Sequence, residues 1–328
     1  MNPSHAQPTL PESRPPSARP LLITILGPTA IGKTTTAIEI AEALKTEIIN
    51  ADSRQIYRGL AIGTAQPTSE ERARVRHHFV DFLEVEELYS AGQFESDVMH
   101  WLEAWFQEHS VAVMVGGSGL YVKAVLEGMD ELPSDLNLRK ELSLRLTSEG
   151  LEPMLRELKQ LDPSHVQRMD TQNPQRVIRA LEVCLASGRP FSSFHSNEKK
   201  SRPFDMLTIG LETDRQKLES RINQRVDQMI HDGFEEEARS FADKRTLNAL
   251  QTVGYREWFE YFDGRNTREE AVNEIKLHTR QFAKRQMTWF RKMENIHWAD
   301  SVDREHLSKL VRTAVSQQAW FDESNFQF

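Results

Sequence analysis

Three features of this 328-residue sequence predict an α/β fold, a parallel sheet core flanked by helices and interrupted by an all-helical insertion. Short β-rich runs, Leu21 to Leu26, Glu47 to Ala51, Val111 to Val115, Met206 to Leu211 and Ile296 to Trp298, alternate with helical patterns. That alternation is the mark of strands joined by helical crossovers. The first run stops at a glycine-rich turn, Gly27-Pro28-Thr29-Ala30-Ile31-Gly32-Lys33-Thr34, which leads into a helical pattern over Lys33 to Leu44. Between Leu132 and Arg202 the pattern is helical throughout, with strands on either side.

These features divide the chain in order. Residues 1–20 hold six of the fourteen prolines and no apolar core, so they read as a disordered tail rather than a signal peptide. Residues 21–131 and 203–300 form the α/β core with its C-terminal helices, and residues 132–202 form the inserted lobe. Pro133 and the polar stretch Ser192 to Pro203 mark its hinges. After the insertion, Arg215 to Phe241 and Arg268 to Met293 read as helices, and residues 301–328 form an extension without an interpretable motif. Val111 to Val115 ends in Gly116-Gly117-Ser118-Gly119, a second tight loop at the carboxyl edge of the sheet, where ligands of open α/β sheets collect.

Composition narrows the class. The chain is 38% apolar and 27% charged, without an apolar run of membrane-spanning length, which fits a soluble globular protein with no membrane partner. The single cysteine, Cys184, excludes an internal disulfide and a cysteine-cluster zinc site, so a reducing cytoplasm is expected. Cys184 itself reads as a small core hydrophobe. The net charge of −8 argues against a nucleic-acid partner until its distribution is considered. No acidic residue occurs from Ile275 to Met293, and Lys276, Arg280 and Lys284 recur there at i, i+4 and i+8, one stripe of a helix. The same spacing also suits a solvated helix face, and both readings stand.

The glycine-rich turn carries the chemistry. A strand that turns directly into a helix leaves backbone N–H groups unpaired and aimed at a phosphate, with the helix dipole adding positive character. Lys33 adds a point charge and Thr34 a hydroxyl for Mg²⁺, so Gly27 to Thr34 reads as a diphosphate-binding loop and the core as P-loop NTPase-like. Glycines used only for packing would leave Lys33-Thr34 unexplained. Asp52 follows the second strand run, near the loop if the first two strands are close neighbours. It could hold Mg²⁺ or accept a proton from a nucleophile, and the pattern alone leaves both open.

The segments GPTAIGKT (27–34), NADSRQIYRGLAIGTAQP (50–67), HHFVDFLEVEELYSAGQF (77–94), VGGSGLYVKAVLEG (115–128), NPQRVIRALEV (173–183), GFEEEAR (233–239), TVGYREW (252–258) and TRQFAKRQMTWFR (279–291) together resemble the bacterial tRNA dimethylallyltransferases, in family order from about Leu22 to Asp300. The resemblance implies transfer of a dimethylallyl group from dimethylallyl diphosphate to N6 of the adenosine 3′-adjacent to the anticodon, in tRNAs that read codons beginning with U. It implies Mg²⁺ as cofactor and tRNA as partner. It makes Asp52 the general base and puts Thr29 and Arg239 at diphosphate or channel positions. By the same resemblance Asp52, Ser53, Arg54, Gln55, Ser118, Arg139, Gln175, Arg176, Val177, Ile178, Arg179, Gln251, Thr252, Val253, Gly254, Tyr255 and Arg256 match tRNA-contacting positions. A target base would have to leave the anticodon stack to reach a buried carbon. Ser118 stands where the family often has Thr, which keeps the hydroxyl, and the eukaryotic zinc finger is absent.

Each assignment has a plainer competitor. Arg239 sits where a surface ion pair with Glu235 or Glu236 is the default, Arg176 and Arg179 suit a solvated face, and Trp289 and Phe290 suit a core. His77-His78 is no metal pair, because neighbouring side chains on a strand point to opposite faces. Among whole-protein readings, a small-molecule kinase would bind ATP in the same loop but has no need of the basic 276–292 segment. An adenylate isopentenyltransferase acting on AMP, ADP or ATP generally lacks the long helical insertion. A tRNA-binding module with a degenerate loop is disfavoured by intact Lys33, Thr34 and Asp52. A monomer is expected.

Overall fold

The computed structural model describes residues 19–194 and 199–318. In chain order, β1 (Leu21–Leu26), α1 (Lys33–Ala43), β2 (Ile48–Asn50), α2 (Ser69–Arg74), β3 (His77–His78), α3 (Ala91–Glu108), β4 (Val111–Gly116) and α4 (Gly119–Glu127) come first. Helices α5 (Leu136–Glu149), α6 (Leu151–Leu161), α7 (Pro163–Val166) and α8 (Pro174–Ser187) follow. Then come β5 (Asp205–Glu212), α9 (Arg215–His231), α10 (Phe234–Ser240), α11 (Tyr255–Phe262), α12 (Arg268–Phe290), β6 (Ile296–Asp300) and α13 (Arg304–Ser316). The chain divides into two compact units, residues 1–126 with 201–328 and residues 127–200.

The larger unit holds one parallel six-stranded sheet in the order β3-β2-β4-β1-β5-β6. Every residue of β1 and β4 is buried, as a sheet covered on both faces requires. Register matters most for function. Leu26 pairs with both Gly116 and Gly210, so β1 and β4 end level while β5 runs two residues further, and the turns that follow β1 and β4 lie side by side at the carboxyl edge. The condition that would bring Asp52 to the loop through adjacent strands is not met, because β4 runs between β1 and β2. The β1-α1-β2 crossover skips one position, which β4 later fills.

One core packs Ile23, Ile25, Val113 and Ile209 against Ala37 and Ile38 of α1 and Leu307, Val311 and Val315 of α13. The i, i+4, i+8 spacing of those last three buries one stripe of α13. Residues 301–316 therefore belong to the α/β core and are not a separate extension. A second, aromatic core joins Ile56, Tyr57, Phe234, Tyr255, Trp258 and Ile275 around α9 to α12. The expected single helix over 215–241 is two, broken at Gly233, whose φ is 99°. The expectation for residues 1–18 lies outside the described residues, whereas Arg19 pairs with Asp205 at 3.1 Å beside the sheet.

The helical unit spans residues 127–200, wider at its start than the predicted 132–202. Its core is built from Leu142, Met154, Leu158, Val177, Ile178, Leu181 and Cys184, with the cysteine buried as expected. Glu182 is fully buried among them, held by Arg139 (2.8 Å), Arg179 (2.9 Å) and the Asp135 N–H (3.0 Å). Burial pushes this carboxyl up, but the hydrogen bonds from the two arginines outweigh it and hold it below the ordinary range. A depressed carboxyl adds stability above its unfolded pKa and loses it as pH falls through the folded value. Glu182→Gln should cost the unit about 2 kcal/mol or more near neutral pH and little at the acid end, read as faster hydrogen exchange in α8.

Candidate active site

The Gly27–Thr34 turn closes over the end of β1 and delivers the chain into α1, whose N-cap Gly32 has φ 103° and lends no side-chain cap. The N–H groups of Lys33, Thr34 and Thr35 in the first turn have no intrahelical acceptor, the arrangement by which helix N-termini receive anions. Lys33 Nζ donates to the Pro28 carbonyl at 2.7 Å, folded back over the turn it serves. Burial, and the like charge of Arg225 beside it, push this ammonium down to about 7 against the pull of the Asp52 carboxylate. Asp52 is therefore close to the loop even though β4 separates their strands.

Two arginines from α9 complete the cationic side. Arg225 Nη1 donates to Thr29 Oγ1 at 3.3 Å, and Arg221 Nη1 donates to the Ile31 carbonyl at 3.3 Å and to Ser301 Oγ at 3.0 Å. They are spaced i, i+4 on one helix face. Asn223 and Asp227, two residues on from each and about 200° around the helix, face α12 instead. There Asn223 accepts from Arg280 at 2.7 Å and Asp227 pairs with Lys276 at 2.5 Å. The predicted basic stripe is thus not a free face. Two of its members tie α12 to α9, and Lys284 alone of the three is exposed.

On the far side of the loop, Asp52 Oδ1 accepts the Arg54 N–H at 2.9 Å, and Oδ2 faces the turn after β4. That turn needs its glycines because α12 lies directly on it. A Cβ on Gly117 would come within 2.5 Å of Gln286 Nε2 and 3.7 Å of Asp52 Oδ2, and one on Gly119 within 2.2 Å of the Trp289 ring. Gln286 and Trp289 stand at i and i+3 on one α12 face, and Gln286 Oε1 accepts the Thr29 N–H at 2.8 Å. Trp289 stays 40% exposed over Gly119, so it is not the core residue expected of it, while Phe290 is fully buried.

The Asp52–Gln55 segment is anchored on every side. Ser53 N–H donates to Ser118 Oγ at 2.9 Å, Arg54 Nη1 donates to the Asn248 carbonyl at 2.7 Å, and Gln55 Nε2 donates to the Thr64 and Ala65 carbonyls at 3.0 and 2.8 Å. The loop carrying Thr64 is held in turn by Glu237, which accepts from the Ile62 and Gly63 N–H groups at 2.7 and 2.8 Å and from the Tyr255 hydroxyl at 2.5 Å.

The sequence profile of the IPP transferase family matches residues 55–293. The chain belongs to the IPP transferase family. It is 49% identical over 278 residues to the tRNA dimethylallyltransferase of Christiangramia forsetii, covering 84% of this chain and 92% of that relative. It is 48% identical over 295 residues to tRNA dimethylallyltransferase 1 of Bacteroides fragilis, covering 90% and 98%. The crystal structure of the full-length tRNA isopentenylpyrophosphate transferase from Bacillus halodurans superposes with a TM-score of 0.67 at 35% identity, covering 91% of this chain and 97% of that one. A eukaryotic dimethylallyltransferase acting on tRNA shares the fold, with a TM-score of 0.75 at 24% identity over 90% of this chain and 78% of that one.

In this IPP transferase the structure brings together Gly27 to Thr34, Asp52, Ser53 and Ser118, with Asn248 next to Arg54. It does not bring Arg239 to the loop. Arg239 is 56% exposed, pairs with Glu235 at 3.0 Å and lies over the Phe262 ring, because the break at Gly233 puts α10 on its own course. Tyr255 and Gly254 are buried, and Val177 and Ile178 lie in the core of the helical unit, so the side chains of Tyr255, Val177 and Ile178 serve packing. Arg139 and Arg179 serve Glu182, whereas Gln175, Arg176, Gln251 and Arg256 are exposed. Arg221, Arg225, Gln286 and Glu237 went unread in the sequence. The i, i+4 arginine pair just after a strand was the available signal.

Lys33 makes anion binding proton-linked. In the free protein an ammonium with pKa about 7 is mostly neutral at pH 8, and a diphosphate beside it favours the protonated form. Binding of inorganic pyrophosphate at pH 8 should take up close to one more proton in wild type than in Lys33→Ala, and far less of a difference should remain at pH 6. Titration calorimetry in buffers of unequal ionisation heat reads the difference; equal uptake in both proteins at pH 8 contradicts it.

Proposed function

We propose that this chain transfers the dimethylallyl group of dimethylallyl diphosphate to the exocyclic N6 of the adenosine 3′-adjacent to the anticodon, in tRNAs that read codons beginning with U. The reading rests on one juxtaposition: a cationic polyphosphate loop and a carboxylate meet at one sheet edge, where Gln286 joins Thr29 of the loop to Gly117, the residue that Asp52 Oδ2 faces. The family relationship to proteins named tRNA dimethylallyltransferase supports it.

In the reaction the C1–O bond to the diphosphate breaks, the N6–C1 bond forms, one proton leaves N6, and pyrophosphate departs. Negative charge grows on the leaving group and positive character on the allylic carbon, so electrostatic catalysis acts on the departing oxygens. Lys33, Arg225 and the first-turn N–H groups of α1 receive that charge. Asp52 Oδ2 takes the N6 proton, while Oδ1 stays bonded to the Arg54 N–H and fixes the carboxylate's plane. The half-buried Thr34 hydroxyl would hold Mg²⁺ together with diphosphate oxygens. No cluster of three His, Cys, Asp or Glu occurs among the described residues, which suits Mg²⁺, an ion that keeps water and phosphate ligands rather than an all-protein cage. When bound, the ion adds positive charge to the leaving group.

The adenine has to be flipped from its stack, and Ser53, Arg54, Gln55 and Ser118 lie in the segments that carry and anchor the carboxylate it would meet. Exposed Lys284, Gln175, Arg176, Gln251 and Arg256 are the remaining candidates for RNA contact. Among the described residues no helix is long and apolar enough to cross a membrane. We place the protein in the cytoplasm as a monomer, in keeping with its one buried cysteine.

Labelled dimethylallyl diphosphate offered with unmodified tRNA or with AMP decides the substrate. Label should enter tRNA, and label in AMP alone, or phosphoryl transfer from ATP without prenyl transfer, overturns the assignment. Asp52→Ala should bind tRNA nearly as well as wild type and lower kcat about 10²- to 10⁴-fold, the usual cost of losing a general base. Near-normal turnover that merely demands more Mg²⁺ would make Asp52 a metal ligand instead.

A further inference from the structure

The side-chain amide of Gln286 spans the two turns that the reaction has to hold together. It lies on α12 and is only 7% exposed. Its Oε1 accepts the Thr29 N–H at 2.8 Å, and its Nε2 donates to the Gly117 carbonyl at 2.9 Å. Thr29 sits in the polyphosphate loop, where its hydroxyl accepts from Arg225. Gly117 sits in the turn after β4, against which Asp52 Oδ2 faces. The β1–β4 ladder ends at Leu26 and Gly116, so past that level the two turns have no shared strand pairing to fix their separation.

We propose that Gln286 is a positioning residue that sets the spacing between the leaving diphosphate and the carboxylate that takes the N6 proton. The inference rests on the transfer reaction proposed above. It leaves the loop competent for anions, because the N–H it occupies belongs to Thr29 and the first-turn N–H groups of α1 stay available.

The residue type follows from the two partners. One side chain must accept from an N–H and donate to a carbonyl at once, and a planar amide does so from two separate atoms on one rigid group. Glu would accept from Thr29 and repel the Gly117 carbonyl. Lys would donate only, and Asn is one methylene short. The Gly117 arm is buried and the Thr29 arm partly so, and cutting the first strands a backbone carbonyl away from water. Gly117 belongs to the same device, since a Cβ there would occupy the space of the amide. Its φ is not in the left-handed region, so alanine perturbs that contact rather than the backbone.

Gln286→Glu, Gln286→Ala, Gly117→Ala and the double variant Gln286→Ala/Gly117→Ala test this with steady-state transfer to tRNA. A displacement of about 1 Å costs about 100-fold in rate, so each single variant should lose about that factor in kcat, with KM for dimethylallyl diphosphate and for tRNA within about threefold of wild type. The double variant should be no worse than the worse single one, because both changes break one bridge. If Ala at 286 fails to fold, the nearly isosteric Glu variant still decides. A kcat within threefold of wild type, a loss carried by KM instead, or losses that multiply in the double variant overturn the inference. Wild-type protein unable to prenylate tRNA would overturn the functional reading itself, whereas an active wild type with equally active variants sinks the inference alone.

Discussion

The site depends on how closely α12 can lie over the turn that ends β4. Asp52 comes from β2 and the polyphosphate loop from β1, and the strand between them would hold the two apart if its own turn carried side chains. Gly117 and Gly119 remove that bulk, and Gln286 and Trp289 take the space. Level strand ends, set by the pairing of Leu26 with Gly116, bring the turns to the same height. The geometry of this edge is therefore a property of three non-consecutive segments and one long helix, none of which forms it alone.

Electrostatics gives this arrangement its direction. Lys33 and Arg225 are like charges brought together away from water, and for Lys33 the loss of hydration outweighs the attraction of Asp52. Such a cluster is a standing cost in the free protein and becomes favourable when an anion with several charges arrives. The long polar network behind Asp52, from Gln55 through the Thr64 loop to Glu237 and Tyr255, holds the carboxylate's segment while that balance shifts. Rigid anchoring on one side and stored charge on the other suit a reaction whose barrier lies in separating charge.

Much of this was legible in the sequence, and the rest was hidden for physical reasons. Gly27 to Thr34 and Asp52 could be read because local chemistry fixes them: a strand, a turn and a helix in immediate succession, and a carboxylate at the end of a β-rich run. Spacing alone could not reveal that β4 intervenes between β1 and β2, since strand order is decided by segments far apart in the chain. Arg239 is singled out by the resemblance alone, and the plainer reading of its spacing, an ion pair with Glu235, is the contact the structure holds. Val177, Ile178 and Tyr255 lie within segments whose outer residues are polar, and a segment does not say which of its residues faces inward. Lys276 and Arg280 have the spacing of a solvated stripe, but their partners Asp227 and Asn223 sit on another helix.

The helical unit closes on itself at its neck, where the Lys200 N–H donates to the Glu127 carbonyl at 2.8 Å. Entry and exit are thereby pinned at a single peptide-to-peptide distance, whatever the length of chain looped out between them. The entropy of closing such a loop grows only with the logarithm of its length, so adding or removing a helical turn costs the parent fold a few tenths of a kcal/mol at most. Relatives in which this unit differs in size, or bears different exposed side chains, can thus share one unchanged sheet. The neck makes this segment the natural place for the chain to vary in length without rebuilding the sheet edge.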